Sequence, residues 1–189
     1  MRIVLSVFRL CPSGEMADTP ARGAGAVRRG GSSPLLDTKR IEEMNVLFLD
    51  IDGVMNNEDL LTFGGWNTIG DLQLDMLKKI VEKTNAKIVL SSSWRLEDFT
   101  KKLVEEALSK RDLVLLDRTI QIKDKQWSIV PRAHEILEWL SRHPEVEKFA
   151  VLDDEPDAGL GIESHFFKTE FSDGLTWEIS DKVIEHLEE

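Results

Sequence analysis

The chain has 189 residues, enough for one domain with a sizeable core, and its 41% hydrophobic and 31% charged side chains are ordinary for a globular protein. A net charge of −11 argues against strong non-specific nucleic-acid binding, because that affinity comes from Lys and Arg neutralising phosphates. No apolar run is long enough for a membrane span, and the single cysteine, Cys11, excludes an internal disulfide framework and suits a cytoplasmic setting.

Residues 1–43 differ from the remainder. They hold seven of the 24 basic and five of the 35 acidic side chains, so the rest is more acidic than the whole, at −13 against −11. Cys11 to Leu36 is rich in Gly, Ala, Arg, Ser and Pro and has neither helical nor strand periodicity. The apolar start, Ile3 to Leu10, is short and broken by Ser6 and Arg9, unlike a secretory signal, and Glu15 and Asp18 argue against organelle targeting. Pro12 to Pro20 and Gly31-Ser32-Ser33-Pro34 look like the D-arm and T-arm of a transfer-RNA gene read as codons. The expectation is a domain over 44–189 starting at Met44, with residues 1–43 a largely disordered leader that lacks apolar surface to offset the entropy of ordering.

From Met44 onward short apolar strands alternate with amphipathic helices. In chain order the pattern predicts a strand Asn45–Leu49, an irregular stretch 56–70, a helix over Leu72–Lys83 and a strand Lys87–Leu90. A helix near Leu96–Leu108 follows, with Phe99, Leu103, Val104 and Ala107 at helical spacing, then a strand Leu113–Leu116 and an irregular or hairpin region 120–129. Helix Arg132–Ser141, strand Phe149–Leu152, short strand Phe166–Lys168 and a helix Ser180–Leu187 with Ser180 as its N-cap close the chain. This is the pattern of an α/β fold, a three-layer, Rossmann-like, mainly parallel sheet with helices on both faces. In such sheets ligands bind at the carboxyl ends of the strands.

Three strands end in polar residues suited to one site. The first runs straight into Asp50 and Asp52, followed by Gly53; the second ends in Ser91-Ser92-Ser93; the strand Phe149–Leu152 ends in Asp153-Asp154. A carboxylate at the end of a buried strand is costly unless something pairs with it, and a hard cation such as Mg²⁺ takes oxygen ligands of this kind. A strand followed by an Asx-Gly turn accounts for Asp52-Gly53 but leaves Asp50 and the second acidic pair unexplained. Carboxylates for a cation and hydroxyls for phosphate oxygens point to phosphate chemistry.

These residues resemble the haloacid-dehalogenase-like (HAD) superfamily of phosphotransferases. Asp50-Ile51-Asp52-Gly53-Val54 is similar to its first motif, Ser91 to its second and Asp153-Asp154 to its fourth. Phe48 to Val54, Ser91 to Arg95, Glu135 to Leu140 and Gly174 to Thr176 look like the HAD domain of Swiss Army Knife RNA repair proteins. The resemblance implies that Asp50 is the nucleophile, forming an aspartyl-phosphate, and that Asp52 is the general acid and base. It also implies Mg²⁺ held by Asp50, the backbone carbonyl of Asp52, and Asp153 or Asp154, with Ser91, Ser92 and nearby amides binding phosphate. The charge-neutralising cation of the third motif is Arg132 or Lys125, with Lys123 close by.

Arg95 is read as contacting phosphate or pairing with a carboxylate, and Trp94 as lining the site. Trp66, Trp127, Trp139 and Trp177 are read mainly as packing residues, and His134, His143, His165 and His186 as structural or surface groups. About thirty residues between the first motif and the second strand leave no room for a large cap. The expected partner is a phosphorylated substrate, small molecule or nucleic-acid end, and no membrane. Two functions remain open: a Mg²⁺-dependent phosphomonoesterase, or a metal-binding regulatory module without turnover.

Overall fold

Val46-Leu47-Phe48-Leu49 is apolar without alternation, the pattern of a strand covered on both faces, and it forms the buried part of strand β1 (Met44–Leu49). The structure is a computed structural model that describes residues 43–126 and 128–189. The expected leader and Trp127 lie outside the described residues.

Helix α1 (Glu58–Gly64) and helix α2 (Asp71–Thr84) follow β1, then strand β2 (Lys87–Leu90), a 3₁₀ turn Ser93–Leu96 and helix α3 (Asp98–Ser109). Strand β3 (Leu115–Arg118), helix α4 (Arg132–Ser141), strand β4 (Val146–Asp153), strand β5 (Phe166–Lys168) and helix α5 (Trp177–Glu188) complete the order. The five strands are all parallel, in the order β3-β2-β1-β4-β5.

Alternate side chains of the central strands feed two cores. Leu47, Leu49, Ile88, Leu90, Ala150 and Leu152 pack with Leu74, Leu77 and Ile80 of α2, Val104 and Leu108 of α3, and Val183 and Leu187 of α5. Val46, Phe48, Val89 and Val151 face the other way, onto Ala133, Ile136 and Trp139 of α4. Phe48 and Trp139 meet edge to face, with centroids 5.4 Å apart. Full burial of each such large apolar side chain is worth about 1.5–3 kcal/mol, so the sheet's centre is its most stable part. The predicted three-layer α/β class is the observed one.

Several element boundaries differ from expectation for physical reasons. Helix α1 lies in the stretch read as irregular; none of its residues is buried, so no apolar periodicity betrays it, although Asn57 caps it by accepting from the Leu60 N–H at 2.9 Å. Leu96 belongs to the 3₁₀ turn rather than to α3, and Phe99, expected on the buried face of α3, is 65% exposed. Strand β3 starts two residues late, because Asp112 turns the chain with φ 58° and Leu113 is drawn into the core beside α3. Strand β4 is longer than its apolar run. Helix α5 is capped by Thr176, which accepts from the Ile179 N–H at 3.3 Å; Ser180 is inside the helix, donating back to the Thr176 carbonyl. His165 and His186, far apart in sequence, meet at 3.0 Å between their ring nitrogens. No helix among the described residues is long and apolar enough to cross a membrane.

Candidate active site

The register of the sheet sets the site. Leu49 of β1 stands opposite Leu90 of β2 and Leu152 of β4, so the residues that follow, Asp50, Ser91 and Asp153, emerge at one level. Backbone bonds continue one step past the strands: the Ser91 N–H donates to the Leu49 carbonyl at 2.9 Å and the Asp50 N–H to the Leu152 carbonyl at 3.0 Å. The carboxyl edge of the three central strands therefore carries the acidic and hydroxyl groups together.

One carboxylate oxygen from each of Asp50, Asp153 and Asp154 lies within 4.8 Å of the others. Asp50 and Asp153 are buried. Burial first, then the neighbouring Asp50 charge, pushes the Asp153 carboxyl up to about 8 and that of Asp154 to about 6. Burial also raises Asp50, against the opposing pull of the Arg132 guanidinium and the Ser92 hydroxyl. Arg132 Nη1 reaches Asp50 Oδ1 at 2.5 Å and stands 3.2 Å from Asp153 Oδ2. The latter contact is attractive but poorly aligned, and Asp153 Oδ2 has no hydrogen-bond donor among the described residues. Of the alternative cations, Lys123 and Lys125 are exposed on the turn between β3 and α4, and neither pairs with these carboxylates among the described residues. That turn is a minimal hairpin, with one antiparallel bridge from Lys123 to Ile129.

Asp52 stands apart from this group. The chain leaves β1 through Gly53, whose φ of +68° favours glycine, and a Cβ there would lie 2.5 Å from Asp154 Cγ. Asn56 then folds back: its Oδ1 accepts from the Gly53 N–H at 2.9 Å and its Nδ2 donates to Asp52 Oδ1 at 3.0 Å. Trp94 Nε1 donates to Asp52 Oδ2 at 2.8 Å. The buried Thr169 hydroxyl holds the Gly53 carbonyl at 2.6 Å. Sequence reading missed Asn56 and Thr169 and found no partner for Trp94. The one available signal was Asn56 four residues beyond Asp52; the Trp94 contact spans 42 positions.

The serine run is equally organised. Ser91 Oγ is fully buried without a hydrogen-bond partner among the described residues, and Ser92 Oγ caps the 3₁₀ turn by accepting from the Trp94 N–H at 3.3 Å. Arg95, open in sequence to either a phosphate or a carboxylate, is committed to protein partners. Its Nε donates to the Thr119 carbonyl at 2.9 Å, Nη1 to the Ser91 and Ser92 carbonyls at 2.5 and 2.6 Å, and Nη2 pairs with Glu135 Oε2. Glu135 Oε1 accepts from the Ile122 N–H at 2.8 Å. This buried pair thus ties the loops after β2 and β3 to α4, the helix that begins with Arg132.

An all-oxygen set with a buried carboxylate oxygen, Asp153 Oδ2, that has no hydrogen-bond donor among the described residues suits a hard cation, so the residues fit the implied Mg²⁺. The all-parallel sheet and the carboxylates, hydroxyls and guanidinium at its carboxyl edge define a HAD-type α/β domain of the phosphatase-like kind. Residues 46–179 match the family model described as the HAD domain in Swiss Army Knife RNA repair proteins, and the chain belongs to that family. No curated protein is similar enough to the chain to count as a match.

Proposed function

We propose that the protein is a Mg²⁺-dependent phosphomonoesterase that works through an aspartyl-phosphate on Asp50, with a nucleotide or polynucleotide phosphate end as substrate. The observation that carries this reading is the shared level of Asp50, Ser91 and Asp153 at the sheet edge, with Arg132 against Asp50.

Asp50, Asp153, Asp154 and the Asp52 carbonyl would hold the cation. When bound, Mg²⁺ supplies the positive charge that lets an anionic nucleophile approach an anionic phosphate. Asp50 attacks phosphorus; the new Asp50–phosphorus bond forms as the bond to the leaving oxygen breaks, and Asp52 gives that oxygen a proton. In the second step Asp52 takes a proton from water, whose oxygen bonds to phosphorus as the bond from phosphorus to the Asp50 carboxyl oxygen breaks, restoring the Asp50 carboxylate and the protonated Asp52. Ser91 Oγ, without a hydrogen-bond partner among the described residues, suits a non-bridging oxygen, and Arg132 suits the charge that builds on the transferring group. The donors on both Asp52 oxygens favour an enzyme over a metal-retaining module, which has no use for an oriented second carboxylate.

The family description supports a nucleic-acid phosphate end, and the short α1 and minimal hairpin leave the edge open to a large substrate. The acidic balance directs recognition to the end rather than to a long backbone track. Hydrolysis of p-nitrophenyl phosphate with and without Mg²⁺, in wild type and Asp50→Asn, tests the reading. Mg²⁺-dependent turnover lost in the variant supports it; equal rates in the two proteins defeat the enzymatic assignment.

A further inference from the structure

A cavity of about 120 Å³ adjoins the carboxylate site, and two elements of that site form part of its wall: Ser93, which ends the serine run, and Arg132. A group attached to a phosphate held by the serines and Arg132 would be next to this space. The volume is of the same order as the about 150 Å³ of an engineered cavity that takes up benzene, and the space is open at its rim, so it is on the scale of one ring and too small for a nucleoside.

The lining chooses the kind of ring. Leu96 and Ile129 supply apolar surface at the rim, 47% and 65% exposed. Gln121 offers an amide donor and acceptor, and Ser93 a hydroxyl. Asp157 adds a carboxylate: its Oδ2 accepts from the Arg132 N–H at 3.0 Å, and Oδ1 has no partner among the described residues. Arg95 and Glu135 also border the space, but their charges are matched to each other. The Asp157 carboxylate repels a second anionic group and its Oδ1 can accept from hydroxyls, while the apolar rim covers the less polar face of a ring.

We infer that this cavity is a subsite for the sugar ring that carries the phosphate, with Gln121 and Asp157 receiving its hydroxyls and Ile129 and Leu96 covering one face. The inference rests on the phosphomonoesterase reading for its orientation. The same ring chemistry is offered by a free pentose phosphate and by the terminal sugar of a polynucleotide. In the second case the remaining chain leaves through the open rim.

The test compares kcat/KM for ribose 5-phosphate, a 5′-phosphorylated and a 3′-phosphorylated oligoribonucleotide, and acetyl phosphate, which has no ring. Wild type is set against Ile129→Trp, which fills the cavity from an exposed position, and Gln121→Ala. The expected result is a fall of roughly tenfold or more in the sugar-to-acetyl preference in both variants, the order expected when a pocket loses a few contacts. The substrate with the higher wild-type kcat/KM identifies the source of the sugar. A preference unchanged within about twofold in both variants overturns the subsite. Binding separates this outcome from failure of the enzymatic reading. Asp50→Asn with Mg²⁺ is expected to bind ribose 5-phosphate roughly tenfold more tightly than inorganic phosphate, an advantage lost on adding Ile129→Trp. Equal affinity for the two ligands overturns the subsite whether or not the wild type turns over.

Discussion

Replacing Glu135 by Gln keeps the volume of the side chain and removes its charge from beneath Arg95. The two side chains are 4% and 3% exposed, so water cannot replace the lost partner. Burial already opposes the Arg95 charge, and Glu135 is the largest influence sustaining it. Removing one member of a buried pair leaves an uncompensated charge and costs about 3–5 kcal/mol. For a domain of this size each kcal/mol lowers Tm by roughly 2–4 °C, so a fall of about 10 °C is expected. Urea unfolding should show the loss as a lower midpoint at unchanged slope. In a double-mutant cycle with Arg95→Met, the coupling should be about 1–3 kcal/mol, because the second change removes the stranded charge. A Glu135→Gln protein within about 1 kcal/mol of wild type would refute the claim that the pair fastens the site loops to α4.

Gly53→Ala forces a positive φ on a residue with a Cβ and drives that atom into Asp154; a loss of about 1–3 kcal/mol and at least a roughly tenfold fall in phosphatase rate are expected, measured by thermal unfolding and p-nitrophenyl phosphate turnover. Trp94→Phe removes the donor on Asp52 Oδ2, and steady-state kinetics should show kcat lowered roughly tenfold with little change in KM. The raised carboxyls predict a pH dependence. Folded values of about 8 for Asp153 and about 6 for Asp154, above the ordinary 3.8, mean that the folded state holds protons the unfolded chain has released. Their stabilising contribution is complete below pH 3.8 and is lost as pH rises through about 6 and then about 8. Metal-free Tm should therefore receive a falling contribution between pH 5 and about 8.5, while the Tm rise on adding Mg²⁺ grows as the cation displaces those protons. A Mg²⁺ shift equal at both pH values would contradict this.

The central sheet was legible because its strands are covered on both faces and read as unbroken apolar runs. The residues just past Leu49, Leu90 and Leu152 were legible for the same reason: polar groups directly after buried strands have few explanations other than a site. Parallel register then carried Asp50, Ser91 and Asp153 to one level. Local pattern carries no information about partners far along the chain. Trp94 on Asp52, Glu135 on Arg95 and Thr169 on the Gly53 carbonyl are separated by 42, 40 and 116 positions. Arg132 was one of several equivalent-looking cations until α4 packed against β1, and α1 escaped notice because it buries nothing.

The central claim is that Asp50 carries the phosphoryl group and Asp52 releases it. Asp52→Asn, mixed with Mg²⁺ and p-nitrophenyl phosphate and quenched in acid, should retain one phosphoryl group on the peptide containing Asp50 by mass spectrometry, absent when Asp50→Asn is added. Wild-type hydrolysis that survives Asp50→Asn, or an Asp52→Asn protein that turns over at the wild-type rate, would contradict it.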